Sequence, residues 1–161
     1  MNKTPFFAHN SEKRSFVMFN EDTVRLLREC DAGAKTAVNC INEVIDSAQS
    51  KKLYDLLMKN TQLHEEIGNE IGALLDECAQ DEKDPPLMAR IMSWAKINAK
   101  LLNSPTDATI AELMTDGCAM GIKSVSEYEN RFPLASDEAK GKAEKLVRLQ
   151  QDFMDDLREF L

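Results

Sequence analysis

The chain has 161 residues, 43% of them hydrophobic, with 6 glycines, 5 prolines and only 6% aromatic residues. That allows one domain with a real core and disfavours a many-turned β architecture. A net charge of −8 leaves no basic stripe to displace counterions from a phosphate backbone, so nucleic acid is excluded as an expected partner. No apolar run is long enough to span a membrane and no charged-then-apolar leader opens the chain, so no membrane partner is expected and the cytoplasm is the expected compartment.

Residues 1–19, MNKTPFFAHNSEKRSFVMF, read as an N-terminal arm with two apolar clusters, Phe6-Phe7 and Phe16 to Phe19. Asn20 is placed to cap a helix, with Glu21 and Asp22 favourable in its first turn. Periodicity predicts the first long helix from about Glu21 to Ala48. Its inward stripe is Leu27, Cys30, Ala34, Ala37, Ile41, Val44 and Ala48, widened by Val38 and Ile45. Ser50 is placed to cap the second helix, whose stripe is Leu53, Leu57, Asn60, His64, Ile67, Ile71, Leu74 and Cys78. DEKDPP, residues 81–86, ends it, because proline cannot extend a helix and restricts the residue before it.

LMARIMSWAKINAKLL, residues 87–102, is amphipathic and predicts a shorter connecting helix of about four turns. NSPTD then stops it and starts another, with Ser104 or Thr106 as the cap and Pro105 suited to a first turn. That helix runs to about Phe132, where Pro133 closes it. Ser136, Asp137 and Glu138 open the last helix, which turns Ala143, Val147, Gln150, Met154, Leu157 and Leu161 inward. Four cysteines, Cys30, Cys40, Cys78 and Cys118, form no CxxC pair and read as buried reduced thiols.

The pattern repeats. A shift of 84 lays Leu27, Cys30, Ala34, Ala37 and Ile41 on Ala111, Met114, Cys118, Gly121 and Val125. A shift of 90 lays Asn60 on Gln150 and Ile67 on Leu157. Two similar hairpins joined by a long connection are expected, which is one form of the four-helix bundle. The fold class is therefore all-α, with an arm at 1–19 and a bundle over 20–161.

The glycine-centred runs CDAGAKTA (30–37) and TDGCAMGI (115–122), with the tryptophan of MSWAKINAKLL, carry a resemblance to ferritin-like proteins. The chain looks like an uncharacterised bacterial branch of that superfamily, over residues 21–161. The resemblance implies two antiparallel hairpins, a crossover, and ligands for two metal ions: a Glu on one helix of each hairpin and Glu-x-x-His on the other. In relatives of this branch an acid follows the glycine of each run. Here those places hold Ala34 and Cys118, the Glu-x-x-His place reads Thr61-Gln-Leu-His64, and its counterpart in the last helix reads Gln151-Asp-Phe-Met154.

LHEEIGNEI, residues 63–71, brings Glu65, Glu66 and Glu70 near His64, but these acids fall beside or behind the stripe, where they are ordinarily solvated. A complete di-iron or di-manganese site is therefore not expected, and neither is any resident cofactor. The alternative is a soft metal site of His64, Cys118 and Met154, suited to copper or zinc, or a redox bundle recruiting iron or manganese through nearby carboxylates such as Asp31. The simpler expectation is a polar core layer in which Asn60, His64 and Gln150 satisfy one another.

Gly117-x-x-x-Gly121 and Gly33-x-x-x-Ala37 read as places for close helix approach, not phosphate loops, since no strand precedes them. No nucleophile–base pair is legible. The expected function is a non-catalytic bundle working by binding or self-assembly. A homo-oligomer, with a dimer favoured, is expected through the arm and the amphipathic connecting helix around Trp94.

Overall fold

The computed structural model describes residues 20–78 and 105–161. Within them lie four α-helices: α1 (Glu21–Val44), α2 (Lys51–Cys78), α3 (Asp107–Arg131) and α4 (Asp137–Leu157). Among the described residues there is no strand, and no helix is long and apolar enough to cross a membrane. The expected arm, the DEKDPP stop and the connecting helix with Trp94 lie outside the described residues.

Each helix starts where local chemistry dictates. The Asn20 side chain accepts from the Thr23 backbone N–H at 2.8 Å, Thr106 accepts from Thr109 at 3.2 Å, and Ser136 accepts from Ala139 at 3.2 Å. Each satisfies one donor orphaned by the helix start. Thr106, not Ser104, is the cap of α3, which places Pro105 just ahead of the helix instead of in its first turn.

Hydrogen bonds between ends set the helix directions. At one end, Asn20 donates to the Leu134 carbonyl, the Leu134 N–H donates to Asp22, and the Ser136 N–H donates to the Thr23 hydroxyl. At the other, the Gln49 and Ser50 N–H groups donate to the Asp107 carboxylate at 2.7 and 3.0 Å, and Lys52 pairs with Glu159. So α1 is antiparallel to α2 and α3 and parallel to α4, while α2 and α3 run parallel. Residues 79–104 therefore join opposite ends of the bundle. α1 and α4 both pack against the three other helices, whereas α2 and α3 lie on opposite flanks.

The core is divided. One cluster, around Leu26, Leu27, Ile67, Ile71, Phe132 and Leu146, fills the end near the α3–α4 turn. A second, around Ile41, Leu53, Leu57, Ile110, Phe153 and Leu157, fills the other end. Each fully buried side chain of this size contributes about 1.5–3 kcal/mol. The repeat is visible in burial: Leu27 and Ala111, Cys30 and Met114, Ala34 and Cys118, and Ile41 and Val125 are all buried.

The expected helix ends and stripes need correction at four places. α1 stops at Val44, and its last turn tightens into a 3₁₀ turn, Ile45–Ser47, with the Ala48 N–H bonded to Ile45 O. This brings the chain round to α2 within three residues. On α1, Cys40 is buried while Ala37 is only half-buried. On α4 the buried set is Ala139, Ala143, Leu146, Gln150, Phe153 and Leu157; Val147 and Met154 pack at the flanks. A helix that touches three neighbours buries a broad face, and the sequence pattern had picked out one edge of it. Leu161, expected inward, is 59% exposed beyond the 3₁₀ turn Arg158–Phe160.

Candidate functional site

Between the two apolar clusters the bundle has a polar waist. Its floor is His64 from α2 and Gln150 from α4, 1% and 3% exposed. Above that floor a cleft of about 420 Å³ opens between α1 and α3, a volume typical of small-ligand sites. Ala32, Gly33, Thr36 and Ala37 form one wall, and Gly117, Gly121 and Ser124 the other. The two small-residue runs thus do not close α1 onto α3 at this level; they line the space between them. Close approach occurs elsewhere. A Cβ on Gly121 would lie 2.6 Å from both polar atoms of the Gln150 amide, so the missing side chain makes room for α4's glutamine rather than for α1.

His64 is held by its own helix. Its Nδ1 lies 2.7 Å from the Asn60 carbonyl oxygen. A carbonyl can only accept, so Nδ1 carries the hydrogen and Nε2 presents a lone pair. Burial lowers the imidazole pKa from its ordinary value, with the Asn60 carbonyl opposing more weakly, so the ring is neutral near pH 7. The Phe153 ring meets it edge-on, 6.5 Å between centroids. Neither His64 Nε2 nor Gln150 Oε1 finds a hydrogen-bond partner among the described residues.

The expected polar layer is therefore partnered differently. Asn60 Nδ2 donates to the Leu56 carbonyl at 3.0 Å and Thr61 Oγ1 to the Leu57 carbonyl at 3.1 Å. Asn60, Thr61 and His64 all bond back to α2, because a side chain can reach the carbonyl four residues earlier without crossing the bundle. The three side chains Asn60, His64 and Gln150 do not satisfy one another.

The candidate ligand positions divide in a similar way. His64 and Cys118 line the same cleft, with Cys40 beside Cys118. Met154 packs on the flank of the second apolar cluster, and Phe153 takes the cleft-lining place on α4. Ala34 lies in the first cluster, fully buried. Glu65 and Glu66 are exposed, while Glu70 is held by Lys142 and Lys145 of α4, both at 2.7 Å. Those two hydrogen bonds, Lys142 first, lower its pKa. Asp31 pairs with Lys35 at 2.6 Å. Among the described residues no group of three or more His, Cys, Asp or Glu comes together in a way that could hold a metal ion.

Chemically the cleft offers polar hydrogen-bonding groups and apolar surface more than reactive groups. Burial pushes the Cys40 and Cys118 thiols up to about 12, so neither is a thiolate at neutral pH. Cys30 and Cys78 likewise form no disulfide among the described residues, Cys78 being half-buried. Glu29 and Glu127 stand among the lining residues, and among the described residues no lysine or arginine does. Tyr128 closes one end, stacked on Phe132 at 6.1 Å with the Arg131 guanidinium 5.5 Å over its ring.

His64 and Gln150 are legible in the sequence as polar residues on apolar stripes, and they form the floor. Thr36, Met120, Ser124 and Phe153 are not legible there as lining residues, since nothing in a helical wheel says that two walls stand apart. Comparison with protein families, with curated proteins and with solved structures gives no match, so the cleft itself must carry the functional reading.

Proposed function

We propose that this protein is a ferritin-like bundle that works by binding, and that its α1–α3 cleft takes a small, largely apolar molecule. The parallel course of α2 and α3, which places a long connection between opposite ends, supports the ferritin-like reading. The observation that carries the binding reading is the pair of buried acceptors on the cleft floor, His64 Nε2 and Gln150 Oε1. A buried polar atom without a partner costs about 1–3 kcal/mol, and a ligand that supplies the partner recovers that cost.

Catalysis is the weaker reading because the Cys40 and Cys118 thiols are protonated and, among the described residues, His64 Nε2 is not hydrogen-bonded to either. The metal-binding alternative draws on the His64 lone pair and the nearby Cys118, but Met154 stands off the cleft. Two measurements test the proposal. Ligand-detected NMR with uncharged naphthalene derivatives should show binding to the full chain, lost in Ala37→Phe, which fills the cleft from the α1 wall. Absence of binding, or undiminished binding in Ala37→Phe, refutes it. Stoichiometric iron, manganese, copper or zinc in protein purified without chelator, lost in His64→Ala, would replace it with the metal reading.

A further inference from the structure

Two acceptor atoms on the cleft floor, one on His64 and one on Gln150, lack partners among the described residues. His64 Nδ1 is committed to the Asn60 carbonyl at 2.7 Å, which leaves the Nε2 lone pair as the ring's only remaining polar group. Gln150 adds a carbonyl oxygen, also without a partner among the described residues. His64 and Gln150 are both more than nine-tenths buried and both line the cleft. The walls above them are mostly small or apolar, with the hydroxyls of Thr36, Ser124 and Tyr128 among them, and the charged lining residues among those described are the carboxylates Glu29 and Glu127.

From these observations, and resting on the binding reading above, the geometry points to a ligand that is a hydrogen-bond donor: an apolar body carrying an O–H or N–H group, uncharged or cationic. The donor is received by His64 Nε2, with Gln150 Oε1 as the second acceptor. An apolar molecule with no donor leaves both acceptors unpaired, so it binds more weakly although it fills the same space. An anion is disfavoured because the charged groups that line the site among the described residues are the carboxylates Glu29 and Glu127, the latter only partly offset by Lys123 at 3.8 Å. Burial, which lowers the His64 pKa, keeps the ring from becoming a second donor.

A matched set of probes reads this directly: 2-naphthol, which donates; 2-methoxynaphthalene, which cannot; and 2-naphthoate, which is anionic. Calorimetric or NMR titration of the full chain should show 2-naphthol binding about tenfold tighter than 2-methoxynaphthalene, the difference expected from one buried hydrogen bond, with 2-naphthoate weakest. In His64→Leu the preference for 2-naphthol should collapse while 2-methoxynaphthalene still binds, which shows at once that the variant is folded and the cleft intact. Gln150→Met provides the same comparison at the second acceptor, with a smaller loss. Equal binding of the first two probes to the parent chain overturns the donor inference but leaves the cleft as a binding site. Preference for 2-naphthoate, or a 2-naphthol preference that survives both substitutions, also overturns it. Failure of all three probes to bind removes the binding reading itself.

Discussion

Replacing His64 by leucine and, separately, by alanine separates what the imidazole contributes as volume from what its nitrogens cost. In the folded chain Nε2 is buried without a partner among the described residues, a penalty of about 1–3 kcal/mol relative to the hydrated unfolded state. Against it stands the bond from Nδ1 to the Asn60 carbonyl, with a net worth of about 0.5–1.5 kcal/mol. Leucine removes both and keeps most of the packing against Phe153. His64→Leu is therefore expected to be between neutral and about 2 kcal/mol more stable. Alanine removes the same polar atoms but also empties the floor between the two apolar clusters, and large-to-small core changes cost about 2–5 kcal/mol. His64→Ala should fall about 2–4 kcal/mol below His64→Leu. Urea unfolding followed by far-UV circular dichroism, with unchanged slopes, gives both values. The pH dependence supplies a second reading. Because burial lowers the folded-state pKa of His64, the unfolded chain binds more protons below the ordinary value of about 6.5. Stability is then full above that pH and declines as pH falls towards the folded value. His64→Leu should lack that part of the decline, so the difference between the two curves isolates it from the carboxylates. A leucine variant more than about 1 kcal/mol less stable than the parent would mean that Nε2 is partnered, and the argument for an available acceptor would fail.

Three other outcomes are expected, two from the structure and one from the sequence of the arm. Asp107→Ala should cost about 1–2 kcal/mol near neutral pH, because the carboxylate receives the Gln49 and Ser50 N–H groups ahead of α2; the hydrogen bond from the Ser50 side chain is the first cause of its lowered pKa. With the folded pKa depressed, that contribution is present above about pH 4 and disappears as pH falls through the folded value, so parent and variant unfolding curves should converge in acid. Iodoacetamide at about pH 8 should leave Cys30, Cys40 and Cys118 unmodified in the folded chain while all four cysteines react in urea, since each of these three thiols is buried and pushed up to about 12; rapid labelling of Cys118 in native protein would contradict its placement. The subunit contact expected from the sequence of residues 1–19, which lie outside the described residues, predicts that deleting them lowers the oligomeric mass measured by light scattering, Phe6, Phe7, Phe16 and Phe19 being the apolar side chains that would be buried there; a full-length chain already monomeric at high concentration would refute that expectation.

What the sequence determined by itself was local. Periodicity, caps and prolines act within a few residues, so Asn20, Thr106 and Ser136 marked helix starts that the structure keeps. The apolar stripes marked most of the buried face, and the repeat paired Leu27 with Ala111 and Ile41 with Val125, all of them buried. Tertiary structure decided everything that depends on the distance between helices. Helical position alone made Met154 an inward partner of His64; the breadth of the face that α4 buries against three neighbours put Phe153 there instead. Small residues at Gly33, Ala37, Gly117 and Gly121 permit either contact or a gap, and only the spacing of α1 and α3 turned them into the walls of a cleft. The polar floor was visible in the sequence as residues but not as bonds. Asn60 and His64 each had a carbonyl of their own helix within reach, and a short reach inside one helix needs no other element to be in place, whereas a bond across the bundle depends on where the neighbouring helix comes to rest.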